Sequence, residues 1–171
     1  MVEATLRLFI LRHGKSDWGT GQPDFDRPLT ARGRKAAKRM GQWLKQQPFH
    51  IGQILCSPAL RAKQTGQLVL EQLNLPQKSI LWESRLYEAS LLDLIALIHQ
   101  YGEGVRTLLI IGHNPGLDQL LCHLCKESPP LSKSGKLLTT AAIAVLDFGT
   151  APISAKAHQA QLQHLVRPKE L

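Results

Sequence analysis

The chain has few aromatic residues and few cysteines, and it lacks a long apolar run. Phe, Trp and Tyr make up 5% of its 171 residues, which leaves few platforms for stacking on nucleic-acid bases. No stretch approaches the roughly 20 apolar residues of a membrane span, and the N-terminus lacks the pattern of a secretion signal. Cys56, Cys122 and Cys125 are an odd number without a secretory context, so we expect free thiols rather than a disulfide framework. These absences predict a cytoplasmic protein without a membrane segment.

Acidic side chains are also scarce, at 13 Asp and Glu against 21 Lys and Arg, and the formal net charge is +8. Such an excess is compatible with nucleic-acid binding. The densest basic cluster, however, falls largely on the polar face of one predicted helix, which favours a solvated face over a nucleic-acid contact. The excess charge could instead steer an anionic substrate. This cluster consists of Arg32, Arg34, Lys35, Lys38 and Arg39.

Strand-like and helix-like patterns alternate along the chain, which is typical of a layered α/β domain. With 43% hydrophobic residues the chain can bury one sizeable core, so we expect residues 1–171 to form a single domain. We predict a three-layer α/β/α sandwich around a central, mainly parallel sheet, whose last two strands lie at an edge and need not be parallel. The expected strands are 6–11, 54–56, 80–82, 107–111, 142–148 and 161–166.

Capping signals place the starts of three helices. Thr30 is expected to cap a helix that ends near residue 46, and Ser90 to cap another together with Asp93. Ser57 precedes a proline, as at the start of a helix, so Arg61 should lie in the first helical turn. A fourth helix is expected over 117–125. The Gly-, Asp- and Pro-rich loop 14–28 is too long for a bare connection and is expected to belong to the functional site.

Basic residues and histidines follow the ends of three predicted strands. Arg12 and His13 come after the first strand, Arg61 after the second, and His113 after the fourth. Because the carboxyl ends of parallel strands meet at one edge of a sheet, we expect these side chains to converge. Two cations and two imidazoles are suited to binding a phosphate.

His13 is the candidate nucleophile, because a neutral imidazole nitrogen can attack phosphorus. Arg12 and Arg61 would disfavour the protonated ring and would bind the phosphate oxygens. The alternative is that His13 is a helix cap or a packed strand-end residue. His113 lies in the turn 112–116, whose glycines would allow close backbone approach to a ligand. It is either a phosphate donor or a simple turn histidine.

Three segments resemble, in order, the motifs of the histidine phosphatase superfamily. They are LRHGK at 11–15, SPALRAKQT at 57–65 and GHNP at 112–115. DRPLT at 26–30, LYEA at 86–89 and the compact size narrow the resemblance to the SixA-type phosphohistidine phosphatase branch. The resemblance spans residues 6–166 and implies a phosphoglycerate mutase-like fold.

The resemblance also implies a chemistry. It implies a phosphoenzyme formed on His13, a phosphate held by Arg12, Arg61 and His113, and no metal or organic cofactor. The larger branches use an acidic proton donor, whereas the shortest SixA-type members do without one; Glu88 is the candidate here. A carboxyl near a bound phosphate should have a raised pKa and could protonate a leaving oxygen. The alternative is an exposed loop residue before a helix cap.

The expected function is hydrolysis of phosphohistidine on a protein or of a phosphomonoester. The alternatives are a small-molecule phosphomonoesterase and a noncatalytic phosphate-binding or protein-interaction module that retains the fold. A mutase is less favoured, because mutases of the superfamily carry longer substrate-gripping insertions. We predict no nucleic-acid partner and no membrane partner.

Two further groups of residues contain side chains that are common in functional sites, but neither group matches a complete site motif. Asp17, Asp24 and Asp26 could orient the arginines, form turns or be solvated. Cys122 and Cys125 have metal-like spacing, but a closed zinc site requires further ligands and the sequence offers no second pair. We therefore expect no metal. The default is buried or half-buried helix cysteines, and the alternative is a redox pair.

Overall fold

The computed structural model describes residues 4–19 and 21–171. Within these residues, six strands form one sheet that is flanked by four α-helices. The strands are β1 Arg7–Arg12, β2 Gln53–Cys56, β3 Ile80–Trp82, β4 Thr107–Gly112, β5 Ile143–Asp147 and β6 Gln161–Val166. The helices are α1 Ala31–Gln46, α2 Leu60–Leu73, α3 Leu91–Tyr101 and α4 Gly116–Leu124.

The sheet has the order β3-β2-β4-β1-β5-β6. Strands β1 to β4 are mutually parallel, whereas β5 is antiparallel to β1 and β6 is antiparallel to β5. The prediction of a mainly parallel sheet, whose last two strands lie at one edge and need not be parallel, is confirmed. Arg12 is level with Gly112, and Cys56 is level with Ile111. The three central strands therefore end together, and the residues that follow them share one edge.

Helices cover both faces of the sheet, because successive side chains of the buried strands point in opposite directions. On one face, Leu8 and Ile10 belong to a buried cluster that includes residues of α3 and α4. On the other face, Phe9 and Leu11 belong to a second cluster with residues of α1 and α2. Full burial of such a side chain contributes about 1.5–3 kcal/mol. The three-layer α/β/α prediction is confirmed.

Two of the predicted caps are present and one is wrong. The Thr30 hydroxyl accepts a hydrogen bond from the Gly33 amide at 3.0 Å, and Ser90 and Asp93 form a reciprocal capping box. Helix α2 begins later than predicted, with Ala59 rather than Ser57 at its N-cap. The hydroxyl of Ser57 instead contacts a histidine of the candidate site, as described below. Residue 61 still lies in the first turn of α2.

The surface features are largely those expected. The five basic residues of the cluster on α1 are all exposed, in agreement with a solvated face. The three cysteines are free, as predicted, with Cys56 and Cys125 buried. Cys122 is exposed on α4, so the expectation of burial is wrong for this residue. Among the described residues, no helix is both long enough and apolar enough to cross a membrane.

Candidate active site

The four residues predicted to converge do so at the carboxyl edge of the sheet. The rings of His13 and His113, which follow the neighbouring strands β1 and β4, have centroids 5.0 Å apart. Arg61 is supplied by the first turn of α2, and Arg12 by the last position of β1. Arg61 and His113 line a cavity of about 500 Å³. The fold thus brings two imidazoles and two guanidinium groups to one edge of the sheet, and Arg61 and His113 face the cavity.

His13 is held in one orientation and one tautomer. Its Nδ1 lies 2.7 Å from the carbonyl of Gly14. Because a carbonyl can only accept, Nδ1 bears the proton and Nε2 keeps its lone pair. The ring is buried, and this burial lowers its pKa to about 3, with smaller contributions in the same direction from His113, Arg61 and Arg12. His13 is therefore neutral near pH 7 and has a free nucleophilic nitrogen.

The loop after β1 is fastened to α2 and packed against α1. The amide of Gly14 donates to the Thr65 hydroxyl at 2.9 Å, and that hydroxyl donates to the carbonyl of Arg61 at 2.7 Å. A Cβ atom at Gly14 would lie 2.9 Å from the carbonyl oxygen of Gly33, so a larger residue would push the loop away from α1. These contacts set the position of His13 relative to Arg61.

Arg61 is oriented by Asp24, a residue of the loop predicted to belong to the site. Arg61 Nη1 donates to the backbone carbonyl of Asp24 at 2.6 Å, and Nη2 donates to its carboxylate at 3.0 Å. Arg27 binds the other carboxylate oxygen, and the Tyr87 hydroxyl donates to the first at 2.7 Å. Tyr87, Arg61 and Arg27 together hold the pKa of Asp24 well below its usual range. Asp24 is therefore an ionised positioning group rather than a proton donor.

Sequence reasoning missed most of this network. The sequence allows Asp24 to be an orienting, turn-forming or solvated residue, and its hydrogen bonds to Arg61 give it the first role. Asp17 instead accepts the Gly19 amide in a local turn at 2.8 Å, and Asp26 is exposed. Arg27 lies in the DRPLT segment and Tyr87 in the LYEA segment. The resemblance of these two segments to the SixA-type branch is the sequence signal that could have pointed to both residues.

Three buried nitrogen atoms at this edge have no hydrogen-bond partner among the described residues. They are Nε of Arg12, Nε of Arg61 and Nδ1 of His113. Arg12 uses Nη1 to donate to the carbonyl of Leu138 at 2.9 Å. Burial lowers the pKa of the Arg12 guanidinium, but arginine side chains keep their charge in proteins. Buried donors without a protein partner are the groups that a bound oxyanion would satisfy.

His113 has a different environment from the one its motif suggested. Its Nε2 lies 2.8 Å from the Ser57 hydroxyl, and burial followed by the charge of Arg61 lowers the pKa of the ring to about 4. Gly116 does not bring the backbone close to a ligand site; a Cβ atom there would clash with the carbonyl oxygen of Ala89. This glycine is needed for packing of α4 against the segment that contains Glu88.

Glu88 lies on the wall of the cavity with an exposed side chain. Its φ angle is +56°, in the left-handed region that side-chain-bearing residues rarely adopt. Two residues later, Ser90 caps α3, so the strained residue is fixed at its C-terminal side. Glu88 lines the same cavity as Arg61 and His113, and its role as proton donor stays a prediction.

The segment around Cys122 does not form a ligand cage. His123, between the two cysteines, uses Nε2 to contact the carbonyl of Ala155 at 2.8 Å. Over residues 4–19 and 21–171, no group of three or more His, Cys, Asp or Glu side chains is placed to hold a metal ion. The candidate site itself relies on arginine for positive charge.

Comparison with known proteins assigns the family. The profile of the histidine phosphatase superfamily (branch 1) matches residues 8–94. The phosphohistidine phosphatase SixA of Escherichia coli strain K12 is 36% identical over 145 residues, covering 81% of this chain and 83% of that protein. The chain belongs to the histidine phosphatase superfamily. This membership and the similarity to SixA together identify the protein as a phosphatase, and the resemblance found in the sequence motifs is confirmed.

Other members of this superfamily agree with that assignment. A SixA homolog of Haemophilus influenzae is 31% identical over 137 residues, covering 74% of this chain and 82% of that protein. A solved structure of the protein histidine phosphatase SixA complexed with tungstate superimposes with a TM-score of 0.79 at 32% identity. This superposition covers 96% of the present chain and 99% of that one, so the histidine phosphatase fold extends over nearly the whole chain.

Proposed function

We propose that this phosphatase removes phosphate from a histidine side chain of a protein, through a phosphoryl group transiently bound to His13. The central observation is the state of His13: a neutral ring with Nδ1 held by the Gly14 carbonyl and Nε2 free. Arg12, Arg61 and His113 surround this nucleophile. The E. coli relative named a phosphohistidine phosphatase, and the related structure that binds the tetrahedral oxyanion tungstate, support the same substrate chemistry.

In the first step, the lone pair of His13 Nε2 forms a bond to phosphorus. The bond between phosphorus and the substrate imidazole nitrogen breaks, and its electron pair stays on that nitrogen. His13 then has the phosphoryl group on Nε2 and a proton on Nδ1, so its ring is cationic. The Gly14 carbonyl stabilises that charge, while Arg12 and Arg61 bind the nonbridging phosphoryl oxygens.

In the second step, water attacks the phosphoryl group of His13. The bond between phosphorus and Nε2 breaks and its electron pair returns to the ring. One proton of the water moves to a phosphate oxygen, so inorganic phosphate is released as H2PO4⁻. His113 contributes a hydrogen bond to the phosphoryl oxygens in both steps. The guanidinium charges are fixed before the reaction, so little reorganisation is needed as charge moves.

A phosphohistidine substrate fits a site in which the ionised Asp24 cannot donate a proton to the leaving group. Imidazole is a good leaving group when its second nitrogen is protonated, so the reaction needs little help from an enzyme acid. Asp24 is ionised and cannot provide that help, and Glu88 is exposed at the cavity wall.

A second candidate is a small-molecule phosphomonoesterase. Glu88 favours it, because a carboxyl on the wall of a cavity of about 500 Å³ could protonate an alkoxide. The volume also lies within the usual range for small-ligand pockets. Family membership disfavours the noncatalytic alternative.

The test compares the parent protein with a His13→Asn variant and uses a protein phosphorylated with labelled phosphate on histidine. Rapid denaturation during turnover should recover acid-labile label on His13 of the parent, and the variant should show neither label nor turnover. A His99→Asn variant, which changes an exposed ring on α3, is the control and should behave as the parent. Label on a serine or cysteine would contradict the mechanism.

The same preparation decides between the two candidate substrates. We expect kcat/KM to be higher for the phosphohistidine protein than for small alkyl phosphates. The reverse order would favour the phosphomonoesterase.

A further inference from the structure

Ser57 lies between β2 and α2 and is completely buried. Its hydroxyl oxygen is 2.8 Å from Nε2 of His113. We propose that Ser57 is a positioning residue that keeps the proton of His113 on Nδ1, so that the uncharged ring donates a hydrogen bond to the bound phosphoryl group. The inference rests on the proposed function in one respect, which is that a phosphoryl group binds beside His113.

The hydrogen-bond inventory around Ser57 sets the direction of this contact. The oxygen of Ser57 accepts the backbone N–H of Ala59 at 3.3 Å. Its hydroxyl proton still needs an acceptor, and among the described residues Nε2 of His113 is the acceptor within reach. A buried hydroxyl proton left without an acceptor would cost about 1–3 kcal/mol. Ser57 therefore donates, and Nε2 accepts with its lone pair.

This direction determines what His113 can offer a ligand. With Nε2 unprotonated, the proton of the neutral ring is on Nδ1. Nδ1 is buried and has no partner among residues 4–19 and 21–171. In the opposite tautomer, the lone pair of Nδ1 would face an anionic oxygen. The contact with Ser57 thus decides whether Nδ1 of His113 donates a hydrogen bond to the phosphoryl oxygen or repels it with a lone pair.

The charged surroundings make the tautomer important, because they disfavour a cationic ring. Burial and the positive charge of Arg61 on α2 lower the pKa of His113 to about 4, and Arg12 of β1 and Arg27 of the first loop act in the same direction. Asp24 of that loop opposes them. The neutral rings of His13 and Tyr87 complete the surroundings. Near pH 7 His113 is uncharged, and its single ring N–H proton is on either Nδ1 or Nε2.

The direct test is the tautomer of His113 in the free protein, read from long-range ¹H–¹⁵N correlation spectra of labelled parent protein near pH 7.5. We expect Nδ1 to be protonated and Nε2 unprotonated. In a Ser57→Ala variant the ring should move towards protonation at Nε2, which free histidine favours. A parent ring protonated at Nε2 would overturn the proposal without any substitution being needed.

Kinetics provide a second readout that a purely structural role would not produce. We expect Ser57→Ala to lower kcat/KM for p-nitrophenyl phosphate by about 10- to 100-fold near pH 7.5, and Ser57→Thr, which keeps the hydroxyl, to restore most of it. The ratio of Ser57→Ala to parent activity should rise several-fold towards pH 4.5, because a protonated imidazole has an N–H on both nitrogens. A ratio independent of pH would contradict the proposal.

Thr107 provides a matched control at the opposite edge of the sheet. Its hydroxyl, on a buried residue, accepts the Gly52 amide at 2.7 Å, and within the part of the chain that the structure describes it has no hydrogen bond with a histidine. Thr107→Val should lower stability without changing the pH dependence of kcat/KM. Failure of this inference is distinguishable from failure of the proposed function: His13→Asn abolishes turnover whether or not Ser57 sets the tautomer of His113.

Discussion

Asp24 binds both terminal nitrogens of Arg61, one through its backbone carbonyl at 2.6 Å and the other through its carboxylate at 3.0 Å. An anionic side chain on the wall of a phosphate site reduces the attraction for the substrate. In return it fixes the arginine before the substrate arrives, which lowers the entropic cost of aligning the two. Among residues 4–19 and 21–171, Nε of Arg61 has no hydrogen-bond partner, so its N–H stays free to bind a ligand.

Asp24→Ala should lower kcat/KM for p-nitrophenyl phosphate by about tenfold, because Arg61, Arg27 and Tyr87 lose their shared acceptor. Asp24→Asn should lose less, since its amide oxygen can still accept from one arginine. Steady-state kinetics of both variants test this. Full activity in Asp24→Ala would mean that the ion pair is incidental to catalysis.

Removal of either site arginine should have a larger effect. Arg12→Ala and Arg61→Ala should each lower kcat by at least about 100-fold, by analogy with the loss of one oxyanion donor. Arg85 offers a control, because it is exposed and pairs with Glu83 at 2.9 Å outside the cavity. Arg85→Ala should keep parental activity. Losses below about tenfold in both site variants would place the phosphate elsewhere.

The positions of the histidines and arginines could be predicted from sequence because each follows a strong local signal. The apolar run before Arg12 and His13 forms a strand buried on both faces, and the same holds for the run before His113. Parallel strand ends then bring distant residues to one edge. The predicted layers, the mainly parallel sheet and most helix starts were correct for the same reason: burial patterns and caps are local properties.

The supporting contacts could not be predicted, since they depend on loop conformation. The Tyr87 hydroxyl reaches Asp24 across 63 sequence positions, and no periodicity specifies that meeting. At Ser57 the local capping rule wrongly predicted the N-cap of α2, because a hydroxyl residue before a proline is typical of an N-cap. In the fold that hydroxyl has a stronger partner in His113, 56 positions away.

The buried histidines should make the protein sensitive to acid. His13 has a pKa of about 3 when folded, against an ordinary value of 6.5. Between these values the unfolded chain binds more protons than the folded one, so stability falls as pH decreases from about 6.5. Relative to the parent, His13→Asn should gain up to about 2 kcal/mol in unfolding free energy between pH 7.5 and pH 5. Urea unfolding at both pH values measures this gain. If the unfolding free energies of His13→Asn and the parent differ by the same amount at pH 7.5 and pH 5, then the pKa of His13 is not lowered by folding.

The left-handed backbone of Glu88 should be measurable as strain. Both Glu88→Gly and Glu88→Ala remove the carboxyl, but only alanine keeps a Cβ atom at a φ of +56°. Glu88→Gly should therefore be more stable than Glu88→Ala by about 1 kcal/mol in urea unfolding. Asn74, with a φ of +55° at the end of α2, gives the matched pair Asn74→Gly and Asn74→Ala. If the pair at Glu88 shows no difference while the pair at Asn74 does, the backbone at Glu88 relaxes without cost.

Leaving-group chemistry tests whether Glu88 donates a proton. Protonation matters most for a poor leaving group, so Glu88→Gln should slow alkyl phosphates strongly, p-nitrophenyl phosphate less and phosphohistidine least. Glutamine keeps the shape of the side chain and removes its titrating proton, which makes a selective effect a report on acid catalysis rather than packing. Glu103→Gln, at an exposed position after α3, should affect none of the three substrates. If Glu88→Gln slows all substrates equally, or none, then Glu88 is a positioning or surface residue and the leaving group takes its proton from water or another group.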